Sequence, residues 1–281
     1  MLYGRCKNKL NSICENQSFQ TTWTLKNLIN DKNIDREGDK PVYSASTRKI
    51  SILMTALKQV YENKLDLNEK LIIKSDYFNN TSGVFRFCEP GFSMQIYNIL
   101  TLMIIVSDNA CTGTIVDLVG LDNINEFCQN IGMVNTKHIH GIPLETLKYE
   151  GDLQETNFTS SNDVTHLLNL ILNGKYNCSD SLNILGTSQN LCSLALDILS
   201  GQQFRSKIPG LLPYNTLVAH KTGTTPHNHN DAGIVFKDDI PQYIFSAYTS
   251  FVPTEINNVS GQYVASELIA EMSYEIYKYI N

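Results

Sequence analysis

Residues 44–61 read SASTRKISILMTALKQVY, a short polar turn that runs into a helix with one apolar face. The apolar side chains recur three and four residues apart, as on a helix that packs into a core, and they are Ile50, Leu53, Met54 and Leu57. Ser46 stands at or near the start of this helix, and Lys49 follows it by three residues. That spacing predicts both side chains on one face of the helix.

A serine beside a lysine is a known arrangement for nucleophilic catalysis. A serine hydroxyl is a weak nucleophile at neutral pH and needs a base within hydrogen-bond reach. Lys49 qualifies only if burial or a nearby positive charge, to which Lys221 is expected to contribute, lowers its pKa. The helix dipole favours negative charge at Ser46. The structural alternative is a serine cap followed by a surface lysine.

A second motif, SDN at residues 107–109, interrupts two strongly apolar helices. A polar triplet in such a place must find hydrogen-bond partners or face a cavity. Ser107 is suited to relay a proton between Lys49 and a leaving group, and Asn109 to hold an amide of the substrate. The structural alternative is a turn in which Asp108 caps the next helix.

A third motif, KTG at residues 221–223, ends a predicted strand. A sheet edge there offers backbone groups to an extended substrate, and Gly223 permits a close approach. Lys221 and Thr222 suit a carboxylate. Each motif is short enough to arise by chance, but the three in this order and in these contexts point together to a serine hydrolase.

Periodicity along the chain predicts an α+β fold, because the strands lie near both ends and helices fill the middle. Residues 31–40 are charged and turn-rich, and residues 75–92 are irregular. Residues 133–159 show neither helical nor strand periodicity, and a loop of that length is usually functional or mobile. Strands are predicted at 19–28, 217–220, 230–237 and 242–251. Helices are predicted at 2–15, 46–61, 94–106, 110–119, 123–131, 160–174, 191–199 and 262–280.

In these three motifs the chain resembles the class A β-lactamase and penicillin-binding-protein group of active-site serine hydrolases. The resemblance extends beyond the motifs to EPG at 89–91, VSDNA at 106–110, VAHKTGT at 218–224 and NDAGIV at 230–235. It implies a β-lactamase/transpeptidase-like fold, with an antiparallel sheet from both chain ends flanked by helices, beside an all-helical lobe. The resemblance implies two lobes with the active site between them. Residues 1–43 and 205–281 form a discontinuous α/β lobe, and residues 44–204 form a mainly helical lobe.

The resemblance also implies a role for each motif residue. Ser46 is the nucleophile, Lys49 its activator and Ser107 the proton relay. Substrate binding falls to Asn109, Lys221, Thr222 and Gly223, and the backbone N–H groups of Ser46 and Thr224 form the oxyanion hole. β-Lactams or related amides are the expected substrates, and β-lactam hydrolysis is the leading activity.

The chain departs from the family in the part that releases the acyl group. Class A β-lactamases carry a glutamate in a Glu-x-x-Leu-Asn string after the second motif, and no such string occurs near residues 142–143. Glu145 is the nearest carboxylate and the candidate deacylation base; its alternative is a solvated loop residue. No arginine stands in 230–236, where many class A enzymes place a carboxylate ligand.

Two alternative functions therefore stay open. A DD-carboxypeptidase-like or other amide or ester hydrolase that β-lactams inhibit would lack fast release, and His220 before the third motif is similar to the peptidase members. A non-catalytic penicillin-binding sensor domain is the second alternative. The strings His138-x-His140 and His227-x-His229 lack acidic or cysteine partners in a fixed frame, so neither a metal nor another cofactor is expected.

Composition limits the partners and the compartment. The net charge of −6 carries no basic block, which argues against nucleic acid, and no apolar stretch is long enough to span a bilayer. The expected partner is a small-molecule or peptide-like amide substrate, for a monomeric protein. No signal peptide is recognisable, so the protein is cytoplasmic or the sequence is a mature periplasmic or secreted form. The seven cysteines are an odd number, and buried free thiols are expected.

Overall fold

Strands from both ends of the chain form a five-stranded antiparallel sheet in this computed structural model, which describes residues 2–78, 82–142 and 153–280. The strands in these ranges are β1 Gln20–Asn27, β2 Lys32–Arg36, β3 Val42–Tyr43, β4 Lys70–Ile72, β5 Ser93–Gln95, β6 Phe158–Thr159, β7 Val218–Thr224, β8 His229–Lys237, β9 Ile240–Ser250, β10 Glu255–Ile256 and β11 Val259–Ser260. The sheet order is β2-β1-β9-β8-β7. The third motif thus lies on an edge strand.

Seven of the described α-helices lie between β3 and β7, in the middle of the chain where the sequence predicts helices. In the described ranges they are α1 Leu2–Glu15, α2 Lys49–Tyr61, α3 Ile96–Ile105, α4 Asn109–Val119, α5 Leu121–Asn130, α6 Ser161–Lys175, α7 Ser179–Leu185, α8 Gln189–Ser200 and α9 Gly261–Ile280. The predicted α+β class is confirmed. None of these helices is long and apolar enough to cross a membrane.

The sheet is covered on both faces, so its strands alternate between two cores. On one face, Trp23 of β1 and Val235 of β8 pack with α1 and α9. On the other, Ile234 of β8 joins a core built mainly from α2–α6 and α8, with Leu53 and Leu168 fully buried. The predicted division into lobes at residues 43/44 and 204/205 stays a prediction.

Strand β2 corrects the expectation of a turn-rich segment at 31–40. It pairs with β1 through Leu25↔Ile34 and Trp23↔Arg36, although its sequence, KNIDR, is mostly polar. An edge strand gains its stability from one ladder of backbone hydrogen bonds, and charged side chains protect its open edge from further pairing. Because its side chains are mostly polar, this strand lacks the apolar pattern by which strands are predicted from sequence.

All seven cysteines are free thiols, as expected. Five of them are buried, but Cys88 is half-buried and Cys178 exposed, so the expectation of burial fails at those two positions. The prediction that Ser160 or Ser161 caps a helix is confirmed for Ser160, whose hydroxyl accepts from Asp163 N at the start of α6.

Candidate active site

The turn that carries Ser46 is a 3₁₀ helix, Ala45–Arg48, that passes directly into α2. Ser46 therefore stands near the start of the helix, as predicted, with α2 itself beginning at Lys49. Residues i and i+3 eclipse in a 3₁₀ turn, so Ser46 and Lys49 still share a face. Ala45 has φ of +45°, a left-handed conformation that is costly for a residue with a Cβ and is often found at functional sites.

The sheet packs directly against this turn. A Cβ on Gly223 would lie 3.1 Å from Ser46 N and 3.0 Å from Ala45 Cβ, so the glycine lets the strand pack tightly against the turn. Its predicted role in close approach of the substrate stays a prediction. Tyr248 of β9 donates its hydroxyl hydrogen to Thr47 Oγ1 at 3.1 Å. The first and third motifs are therefore brought together, and Ser46 stays half-exposed at their junction.

Lys49 joins the first motif to the second. Its ammonium Nζ donates to Ser107 O at 2.9 Å, to Ser107 Oγ at 3.1 Å and to Asn109 Oδ1 at 2.8 Å. The side chain is 2% exposed. The predicted Lys49–Ser107 neighbourhood is present. Asn109, predicted to hold an amide of the substrate, has its side-chain oxygen bound to Lys49.

Burial, and to a smaller extent the positive charge of Arg48, lowers the pKa of Lys49 to about 7. Removing an ammonium from water disfavours its charged form. At neutral pH a large share of Lys49 is therefore the free amine, the form that can accept a proton. The sequence argument required this shift but expected Lys221 to contribute the positive field, whereas Arg48 is the cation that contributes it.

The second motif is held by its own aspartate. Asp108 is fully buried, and its Oδ1 accepts from Cys111 N at 3.0 Å as the N-cap of α4. Its Oδ2 accepts from Val84 N at 2.6 Å and Phe85 N at 3.1 Å. Asp108 is thus a helix cap, as the structural alternative held, and also ties residues 84–85 to the motif. Ser107, at φ +56°, is the bend between α3 and α4.

The third motif continues β7 to its end at Thr224. Lys221 is fully buried, and its Nζ donates to Thr222 O at 2.8 Å. Burial and then the charge of Lys49 hold the pKa of Lys221 well below its ordinary value. Thr224 is exposed at the strand end.

A third buried lysine, Lys207, lies behind this strand end and was not predicted. Its Nζ donates to Gly223 O and to Thr224 Oγ1, both at 3.1 Å. Burial lowers its pKa to about 8, against the opposing attraction of Asp231. The segment around Lys207 has no periodicity, and nothing local in the sequence distinguishes this lysine from a surface one. Its position depends on tertiary packing.

His220 and Asp231 form a buried pair between β7 and β8. His220 Nδ1 lies 2.9 Å from Asp231 Oδ1, and both side chains are fully buried. Asp231 Oδ2 accepts from Ile208 N at 3.0 Å, which fixes the backbone next to Lys207. Among residues 2–78, 82–142 and 153–280, no three His, Cys, Asp or Glu side chains gather as metal ligands would.

Glu145, the candidate deacylation base, lies outside the described residues. The other predicted site residues come together where the start of α2 contacts the SDN bend and the end of β7. The roles assigned to them individually stay predictions. This fold, with a half-exposed serine, a buried lysine of low pKa and a second serine on that lysine, defines an active-site serine hydrolase of the amide-cleaving type.

Comparison with known proteins agrees with this class. The profile of the Beta-lactamase enzyme family matches residues 5–280, and the chain therefore belongs to that family. Beta-lactamase BRO-1 of Moraxella catarrhalis is 24% identical over 237 residues, which cover 84% of this chain and 72% of that protein. Extended-spectrum beta-lactamase PER-1 of Pseudomonas aeruginosa is 28% identical over 206 residues, 69% of this chain but only 63% of that protein.

Solved structures show the same fold over nearly the whole chain. The beta-lactamase from Sphaerobacter thermophilus DSM 20745 superposes with a TM-score of 0.84 at 19% identity, covering 98% of this chain and 97% of that one. PBP-A superposes with a TM-score of 0.80 at 24% identity, covering 98% and 95%. The predicted β-lactamase/transpeptidase-like fold is confirmed.

Proposed function

We propose that this protein is acylated at Ser46 by β-lactams or related small amides and that it hydrolyses β-lactams. The observation that supports this best is the environment of Lys49, which is buried, has a pKa near 7 and contacts Ser107 Oγ at 3.1 Å. A lysine in this state is matched to base catalysis at neutral pH. A structural lysine would have no need of so costly a position.

In the proposed acylation, Lys49 first accepts a proton and later returns it. The neutral amine of Lys49 takes the proton from Ser46 Oγ, which attacks the amide carbonyl and forms a C–O bond. The developing oxyanion is bound by the backbone N–H groups of Ser46 and Thr224. Lys49 returns the proton through Ser107 to the amide nitrogen as the C–N bond breaks. A β-lactam ring opens in this step, so the leaving amine stays attached to the acyl group.

The carboxylate of the substrate is bound by the strand end. Lys221 and Thr222 provide a cation and a hydroxyl there, and Lys207 provides a second cation at Thr224. Lys207 thus supplies the positive charge for which no arginine is present in 230–236. Arg or Lys opposite a carboxylate gives charge-assisted hydrogen bonds, which are the strong ones.

Mass spectrometry of the intact protein after mixing with benzylpenicillin tests the proposed function. We expect an adduct with the mass of the whole penicillin, because ring opening loses no atoms, followed by return of the free protein as the drug is hydrolysed. If no covalent adduct forms and neither amide nor ester substrates are hydrolysed, the proposal is refuted. Reversible binding of penicillin by such a protein would then favour the sensor alternative.

Lifetime of the adduct separates the two catalytic alternatives. A β-lactamase returns to free protein within seconds to a minute, whereas a DD-carboxypeptidase-like enzyme keeps the adduct for many minutes. The missing Glu-x-x-Leu-Asn string is the observation that keeps the second alternative in view.

Glu145→Gln tests the deacylation base. If Glu145 orients the hydrolytic water, the amide lacks the required basicity, and we expect turnover to fall by a factor on the order of 10² or more while the adduct accumulates. Glu150→Gln is the matched control, since it makes the same charge change five residues away in sequence. An unchanged adduct lifetime in Glu145→Gln would assign the base elsewhere.

Lys207→Met tests the second cation of the carboxylate site. Loss of a charge-assisted hydrogen bond is expected to raise KM for benzylpenicillin by roughly tenfold or more with little change in kcat. Because Lys207 binds a carboxylate only when protonated, wild-type KM should rise above pH 8, where it loses its proton. Lys237→Met, an exposed lysine at the end of β8, is the control. A fall in kcat at constant KM would place Lys207 in the chemical step instead.

A further inference from the structure

Arg48, inside the first motif, is a buried cation whose side chain reaches across the fold. It is 5% exposed and sits between the proposed nucleophile and α2. Its Nη1 donates to His140 O at 2.6 Å, and its Nη2 donates to Gly141 O. Nη1 also lies 3.4 Å from His138 Nδ1. The planar fork thus spans two successive carbonyls that are about ninety residues away in sequence.

The receiving segment, residues 138–141, is held from the opposite side by Asn157. The Oδ1 of Asn157 accepts from Ile139 N at 2.7 Å and from His140 N at 3.0 Å. His140 Nε2 lies 2.8 Å from Glu155 O, and the carbonyl there must be the acceptor. Both backbone polar groups of His140 are therefore bound, one by Asn157 and one by Arg48.

These contacts close a ring around the nucleophile turn. Ser44, just before the turn, donates its N–H to Asn157 O at 3.0 Å and its hydroxyl hydrogen to the same oxygen at 2.9 Å. Arg48, at the end of the turn, holds His140 and Gly141. The turn that carries Ser46 is thus fastened at both ends to 138–141 and to 157. Such a closed set of buried hydrogen bonds fixes relative position.

His138, which lies beside the Arg48 guanidinium, is itself held in place by hydrogen bonds. His138 is buried, and its backbone N and O bond to Asn125 Oδ1 and Nδ2, each at 2.8 Å. Burial and the charge of Arg48 hold the pKa of His138 well below its ordinary value, so the ring is neutral and does not repel the arginine. Ser51 Oγ lies 3.0 Å from its Nε2.

We propose that Arg48 is a positioning residue for release of the acyl group, holding residues 138–141 in register with Ser46. The proposal rests on the proposed function, because it concerns the lifetime of an acyl-enzyme at Ser46. Residues 138–141 lie seven to four residues before Glu145, the candidate deacylation base, so their position fixes where the chain enters the segment that carries it. A lysine does not reproduce this planar fork, in which two separate nitrogens donate to successive carbonyls.

Arg48→Lys tests the proposal because it keeps the positive charge near Lys49 and removes the fork. We expect the acylation rate to stay within about threefold, while the adduct with benzylpenicillin persists about tenfold longer, since small misplacements near a reacting centre are costly. Amide hydrogen exchange of residues 138–141 should quicken in parallel. Arg205→Lys is the matched control, because exposed Arg205 also donates to a backbone carbonyl, Thr216 O, at 3.2 Å.

The outcomes are distinguishable. An acylated wild type whose adduct lifetime is the same in Arg48→Lys overturns the positioning role and leaves the proposed function standing. Unchanged hydrogen exchange at 138–141 overturns it as well. A wild type that forms no adduct refutes the proposed function and the release role together. A purely structural arginine would lower the melting temperature and slow acylation and release alike, which also contradicts the proposal.

Discussion

Replacing Ser46 with alanine is expected to abolish the penicillin adduct and to lower β-lactam hydrolysis by a factor on the order of 10⁴ or more. Without the hydroxyl no covalent intermediate can form, and the remaining groups can only bind the substrate and polarise its carbonyl. The bonds of Lys49 to Ser107 and Asn109 do not involve Ser46. The rest of the site should therefore stay assembled.

The variant should also fold normally, so loss of activity can be assigned to chemistry. Ser46 is half-exposed, and truncation of such a side chain costs less than about 1 kcal/mol of unfolding free energy in most proteins. Ser12→Ala, on an exposed position of α1, is the matched control and should keep full activity. An adduct that still forms on Ser46→Ala would mean that another residue is the nucleophile.

The sequence allowed the elements that carry the motifs to be predicted, because each motif interrupts a strong local pattern. The apolar face of α2 marks where Ser46 and Lys49 stand. The polar SDN triplet between α3 and α4 marks a bend, and the strand predicted at 217–220 leads into the KTG motif. These patterns depend on burial of one face, which periodicity records directly.

Elements whose position depends on distant contacts were missed. Strand β2 is polar and is recognisable only from its pairing with β1. Helix α7 has only seven residues, too few for a clear period. Lys207 and Arg48 carry no local signal of their role, since their partners lie at Thr224 and at His140. Charged side chains are expected on surfaces, so their burial is a property of the folded chain.

Replacing Lys49 with methionine is expected to lower the rate of acylation by roughly 10³- to 10⁴-fold, the usual contribution of a positioned base. Methionine has a similar volume and removes the charge from a side chain that is only 2% exposed. Removing the buried charge favours folding, whereas loss of the bonds to Ser107 Oγ and Asn109 Oδ1 opposes it, and the melting temperature measures the net effect. Lys58→Met, on the same helix but paired with Glu62 at the surface, is the matched control.

The acylation rate of the wild type should depend on pH through the protonation of Lys49. The neutral amine is the active form, and its pKa is about 7, so the wild-type acylation rate should rise about tenfold from pH 6 to a plateau above pH 8. Lys49→Met should lose this rise together with the rate. Stability has the same direction: the unfolded lysine holds its proton up to pH 10.5 and the folded one only to about 7, so unfolding free energy gains from this group as pH rises between those values. A residual rate in the variant that still titrates near pH 7 would assign the base to another group, because Lys49 would no longer be there to titrate.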